Sequence, residues 1–229
     1  PRFEVAELHG EYLRRFRIQA GRPGCEPVDE QLVCDGILLE EAGFRVRAIT
    51  LDHHSPVLAF AFEPAQQLNI RKDRLVTRGL SPGRWLGELK QYLQDEALDA
   101  SVRLPDGSSA TVRVLAADLV LASPGKRLVY ATDFADTVEN RRRLATLARG
   151  AHTLFCESTF IEGDAEQAVR TAHLTTRACG EIAVAAGVAR LVPFHFSRRY
   201  EADPARIYAE ITATGARVVV PKAMADYEV

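Results

Sequence analysis

Cysteine is scarce in this sequence, and the little there is lies scattered. Cys25, Cys34, Cys156 and Cys179 form no Cys-x-x-Cys pair and are too few for a disulfide framework, which points to a reducing compartment, here the cytoplasm. No stretch approaches the ~20 consecutive apolar residues of a membrane-spanning helix, so no membrane partner is expected. Neither charge sign dominates: 29 Lys and Arg against 31 Asp and Glu leave a formal charge of −2. That balance excludes a general polyanion-binding signature and confines any nucleic-acid contact to local patches. The chain opens Pro1-Arg2-Phe3-Glu4, with neither a charged-then-apolar leader nor an initiator methionine, which predicts part of a longer protein rather than a secreted one. There is no internal repeat and no low-complexity segment.

What is present is a hydrophobic content of 47% over 229 residues, enough for a sizeable core in one large domain or two small ones. Residues 1–42 are weakly patterned. From Phe44 a period of two predicts a strand, followed at once by a second over Val57–Phe62, with His53-His54-Ser55-Pro56 at the turn between them. Basic residues Arg71, Lys72, Arg74, Arg78, Arg84 and Lys90 mark an insert at about 63–98, for which a solvated helix face is the simplest reading. Ser81-Pro82 is a fitting helix start. Leu104-Pro-Asp-Gly107 signals a hairpin with arms over 101–104 and 110–114. Beyond residue 127, strands and helices alternate. Strands are expected at 127–132, 153–156, 191–194 and 217–220. Helices are expected at 137–149, at 165–171, from His173 to Gly187, and at 204–214. This rhythm predicts an α/β layered fold.

Polar residues recur where those strands end: His53 or His54, Asp133, Glu157 and His195, with His173 at a helix start. Ligands of open α/β sheets bind beyond strand carboxyl ends. Two imidazoles and a carboxylate from separate strand ends form a nitrogen and oxygen set that suits zinc. His53 is preferred to its neighbour His54, because adjacent turn residues rarely reach one metal. Asp136 suits a helix start better than a ligand role. His9 and His152 have no partners in view, and Cys156 and Cys179 sit in apolar contexts typical of a core.

The order of these motifs resembles the C-terminal half of ribonuclease Z-like enzymes of the metallo-β-lactamase fold. The matching pieces are Leu51-Asp52-His53, Tyr130-Ala-Thr-Asp133, Cys156-Glu-Ser-Thr-Phe160, His173-Leu-Thr-Thr176 and His195-Phe-Ser-Arg-Arg-Tyr200. The resemblance implies a single partial αβ/βα-sandwich domain over 1–229, incomplete in its N-terminal half. It implies that His53, Asp133 and His195 bind two zinc ions, with manganese as the alternative ion and Asp133 as the bridging ligand. A hydroxide between them would attack a phosphodiester of RNA, with tRNA 3′ ends as the implied substrate. His173 would stabilise the transition-state phosphate or protonate the leaving oxygen, oriented by Glu157, and Arg199 would pair with a phosphate. Ser158, Thr175 and Ser197 are candidate substrate contacts, and a homodimer is the implied assembly. The family's His-x-His-x-Asp-His motif is missing, so the chain by itself is expected to bind metal weakly. Two other readings stay open: a different hydrolase on the same scaffold, acting on an ester, lactone or other phosphodiester, and an inactive half-domain serving as a binding subunit.

Overall fold

A computed structural model describes residues 1–220. The chain opens with strands β1 (Arg2–His9), β2 (Tyr12–Gln19) and β3 (Glu26–Leu32), paired antiparallel in the order β1-β2-β3. Their side chains are largely exposed and carry cross-strand ion pairs, Arg17–Glu4 at 2.9 Å and Arg15–Asp29 at 3.0 Å. Exposure explains the weak pattern: with both faces wet, apolar and polar positions need not alternate. β4 (Ile37–Glu41), β5 (Phe44–His53) and β6 (Ser55–Pro64) follow. Gly36 turns the chain into β4 at φ 73°, and a Cβ there would stand 2.5 Å from the Ala48 carbonyl oxygen, so only glycine fits.

Residues 65–125 form a second compact unit. It contains β7 (Gln67–Ile70), α1 (Lys72–Thr77), α2 (Trp85–Gln94), β8 (Ser101–Arg103), β9 (Ser109–Thr111), α3 (Val112–Leu119) and β10 (Val120–Ser123). It has its own core, built around Trp85, Leu89, Val102, Leu115 and Leu119. Two boundaries differ from expectation. Helix α2 begins at Trp85 rather than Ser81, whose carbonyl instead accepts the Trp85 indole N–H at 3.0 Å. The second hairpin arm ends at Thr111, because Val112, Leu115 and Leu119 recur at helical spacing and are all buried.

The first unit resumes with β11 (Leu128–Ala131), α4 (Val138–Ala148), β12 (Thr153–Glu157), α5 (Ala165–Thr171), α6 (Thr176–Ala186), β13 (Leu191–Phe194) and α7 (Pro204–Thr212). Its six-stranded sheet runs β13-β12-β11-β6-β5-β4, with β11, β12 and β13 parallel and the remaining neighbours antiparallel. Val129, Ala131, Leu154 and Leu191 pack with Leu144 of α4, Ile182 of α6 and Ile207 of α7 in one core. The alternate positions Phe60, Phe62, Leu128 and Tyr130 point the other way and are exposed, with Tyr130 opposite Phe60 and Leu128 opposite Phe62. Thr137 caps α4 by accepting the Asn140 N–H, and Gly187 ends α6 in the left-handed conformation. The helix expected from His173 starts at Thr176, capped by Thr175. The strand expected over 217–220 reduces to one bridge, Leu191 to Val218.

Candidate active site

The carboxyl ends of β11, β12 and β13 and the turn between β5 and β6 lie at one end of the sheet and carry the polar residues in question. His53 is the last residue of β5, and His54 makes the turn at φ 55°. Asp133 and His195 each follow a strand and each adopt a positive φ, 52° and 59°. Such conformations cost roughly 1–3 kcal/mol apiece for residues other than glycine and persist where the surroundings impose them.

One ligand atom from each of His53, Asp133 and His173 lies within 4.8 Å of the others. His195 joins through Asp133, its Nε2 3.4 Å from Asp133 Oδ1. The His173 ring lies 4.8 Å from that of His53 and 5.3 Å from that of His195, centroid to centroid. Each ring is held by its Nδ1. His53 Nδ1 donates to the Ala172 carbonyl at 2.9 Å and His173 Nδ1 to Glu157 Oε2 at 3.0 Å, while His195 Nδ1 shares a hydrogen bond with the Thr132 hydroxyl at 3.3 Å. With Nδ1 occupied, Nε2 is the atom left for a metal or a substrate, and such outer partners commonly fix the tautomer of ligating histidines. The donor set is therefore of the right kind for a zinc-like cation.

Glu157, at the end of β12, is wholly buried. Its Oε1 accepts the Phe134 N–H at 2.7 Å; its Oε2 accepts the Thr159 hydroxyl at 2.7 Å, the Leu174 N–H at 3.2 Å and His173. A buried carboxylate with this many donors is a fixed anchor. It acts on His173 in turn: the hydrogen bond to Glu157 raises the imidazole pKa above its ordinary value, burial opposes the rise, and the charges of Glu157 and Asp133 add to it.

Not every candidate reaches this centre. Ser158 is completely buried with its hydroxyl unpartnered, so it presents nothing to a substrate. Thr175 is buried as well, its hydroxyl accepting the Ala178 N–H at 3.2 Å. Ser197 precedes a short 3-10 turn without capping it. Arg199 pairs with Asp164 at 3.3 Å and lies over the Phe160 ring at 5.3 Å. That ring stands 6.2 Å from His173, so Arg199 borders the centre with its charge already partnered. Asn140 escaped the sequence reading altogether. It is a buried amide in the first turn of α4, and its only signal was a polar residue three positions after a capping threonine.

Comparison with known proteins gives these residues a family. A profile described as "Beta-lactamase superfamily domain" matches residues 96–196. Ribonuclease Z of Deinococcus radiodurans is 36% identical over 73% of this chain and 49% of its own length. Ribonuclease Z of Thermobifida fusca is 33% identical over 89% of this chain and 60% of its own, and that of Methanothermobacter thermautotrophicus 30% identical over 81% and 54%. The chain thus spans about half the length of the curated relatives it matches. Within that span, the strand-end residues and the matches agree: the chain belongs to the ribonuclease Z-like family of the metallo-β-lactamase fold.

Proposed function

We propose that this chain carries part of the active centre of a zinc-dependent phosphodiesterase that hydrolyses RNA, with tRNA 3′ ends as the substrate the resemblance implies. The carrying observation is the convergence of His53, Asp133 and His173, with His195 beside Asp133, at the strand ends of one sheet. In this reading His53, Asp133 and His195 hold the metal. When bound, divalent ions supply Lewis acidity that makes water a better nucleophile at neutral pH and offsets charge on a transferring phosphate. The chain's own residues do the rest. Glu157 holds His173 by Nδ1 and favours its protonated form. His173 Nε2 is then the proton donor to the leaving oxygen, a role worth about 10²–10⁴-fold. Asp133 fixes the approach of the His195 ring. The cytoplasm as location and a homodimer as assembly belong to the same proposal.

The grouping of His173 with His53 and Asp133 within 4.8 Å favours a second reading, in which His173 is itself a ligand. Two variants separate the roles. Cobalt uptake is followed by visible absorption, and hydrolysis of bis(p-nitrophenyl) phosphate and of a 3′-extended RNA by product formation. Asp133→Ala should abolish uptake and hydrolysis; unchanged hydrolysis in that variant would sink the assignment. His173→Ala should keep the cobalt spectrum and lose turnover if it is the acid, and lose both if it is a ligand.

A further inference from the structure

His53 and Asp133 come from strands that are not neighbours. In the sheet order β11-β6-β5, strand β6 separates them, and adjacent strands stand about 4.8 Å apart. Two side chains carried that far apart need the loop after β11 to reach across the end of β6 and be held there. Asn140 does the holding. Its Nδ2 donates to the Asp52 carbonyl at 2.9 Å and to the Ala135 carbonyl at 2.9 Å, and its Oδ1 accepts the Asp52 N–H at 3.1 Å. The Ala135 N–H adds a direct bond to the Asp52 carbonyl at 2.8 Å. One amide thus satisfies both backbone groups of the residue before His53 and one carbonyl two residues after Asp133. The residue is only 3% exposed, and its own backbone N–H is bound by the Thr137 cap at 3.1 Å. All three polar functions of the side chain are used, which leaves it a single orientation.

From this geometry we infer that Asn140 is a positioning residue: it sets the separation of His53 and Asp133 across β6, and so the ligand spacing of the centre. The inference rests on the site proposed above. Alanine at 140 would leave the Asp52 N–H without its side-chain partner, reduce the Ala135 carbonyl to the single donor Thr137 N–H at 2.9 Å, and let the loop after β11 move away from β5. Aspartate would place a carboxylate oxygen against two carbonyl oxygens.

The test compares the 229-residue chain with its Asn140→Ala and Asn140→Asp variants, and with Ile211→Val as a core control away from the clamp. Each is followed by urea denaturation, cobalt titration and the ring proton–carbon signals of the histidines in metal-free protein. Both Asn140 variants should shift the His53 ring signals and weaken cobalt binding about 10- to 100-fold, the range typical of lost outer-shell contacts. Ile211→Val should lose some stability and change neither. Histidine signals and cobalt affinity that match the parent in a folded Asn140 variant would overturn the inference. So would equal changes in the Ile211 control. Asn140→Asp preserves side-chain volume and keeps the comparison open if the alanine variant does not fold. A parent chain that takes up no cobalt, but whose His53 signals move on Asn140 substitution, would count against metal binding by this chain alone and leave the clamp standing.

Discussion

Glu157 shows how much one side chain can hold in place. Four donors converge on its two oxygens from Phe134, Thr159, His173 and Leu174, so it ties the loop after β11, the end of β12 and the approach to α6 together. Glu157→Gln replaces one acceptor oxygen by a donor that must face an N–H or an O–H. A buried polar group left in that state costs about 1–3 kcal/mol, and the variant should unfold at lower urea by that amount. It should also lose the downfield-shifted, Glu157-bound Nδ1 proton of His173 in NMR spectra; persistence of that proton would contradict the anchoring role. At this scale the sequence was informative where chemistry is rare. There are 6 histidines in the chain, and those that follow predicted strands converge. It was silent where chemistry is common: the Asn140 amide sits in Val-Glu-Asn-Arg-Arg-Arg, which reads as a solvated helix face. Serine and threonine are ambiguous for a related reason: a hydroxyl can serve a backbone cap or a substrate equally well, and sequence does not show that Thr175 and Ser158 are buried.

Among the elements, α6 and the turn after α7 approach unusually closely at Gly180. A Cβ there would meet Thr214 Oγ1 at 2.3 Å and Cγ2 at 2.8 Å. Thr214 cannot easily swing away, because its hydroxyl donates to the Ile211 carbonyl at 2.6 Å. Glycine to alanine within a helix ordinarily gains up to about 1 kcal/mol. Here overpacking, worth about 1–3 kcal/mol, should outweigh it. Gly180→Ala is therefore expected to destabilise, and Thr214→Ala in the same chain to recover part of the loss in a double-mutant cycle; additive effects would show that the contact is absent. The strands β5, β6 and β11 carry a second testable feature in Glu63, half enclosed by Arg45, Arg47 and Arg127. Burial pushes its pKa up, but the hydrogen bond from Arg45 and the charge of Arg47 outweigh burial and hold it below the ordinary 4.5. A depressed folded-state value means that the stabilisation is complete above about pH 4.5 and fades as pH falls through the lower native value. Glu63→Gln should thus lower the urea midpoint at pH 7 and flatten its decline between pH 5 and 3 (roughly the window of carboxylate titration); equal slopes in the two proteins would remove Glu63 as the cause. Buried strands such as β12 and β13 were readable because they are apolar runs bounded by polar ends. The strands β1, β2 and β3 were not, since they are held by exposed cross-strand pairs and bury almost nothing.

The whole molecule divides into two units, each with its own core. The alternating β/α rhythm made the first legible; the second was visible only as a basic stretch, because short strands and helices of 6 to 10 residues give little periodicity. The first unit also bears Phe60, Phe62, Leu128 and Tyr130 exposed on one sheet face, an apolar patch of the kind that drives association. Phe62→Lys should reduce concentration-dependent light scattering of the purified chain, and scattering unchanged by the substitution would assign the association to another surface.

The strand pairing has a consequence for how this sequence could have been assembled. Strand β6 leaves the host sheet at Pro64 and β11 re-enters beside it, with Phe62 opposite Leu128. Within the intervening unit, Gln67 lies opposite Ser123. Both cut ends therefore close on themselves, as the two arms of a hairpin do. Replacing residues 65–125 by a short turn such as Asn-Gly would ask of the host only a tight connection that antiparallel strands make readily. The seam is a place where an in-frame gain, loss or exchange of genetic material leaves the register of the host sheet untouched.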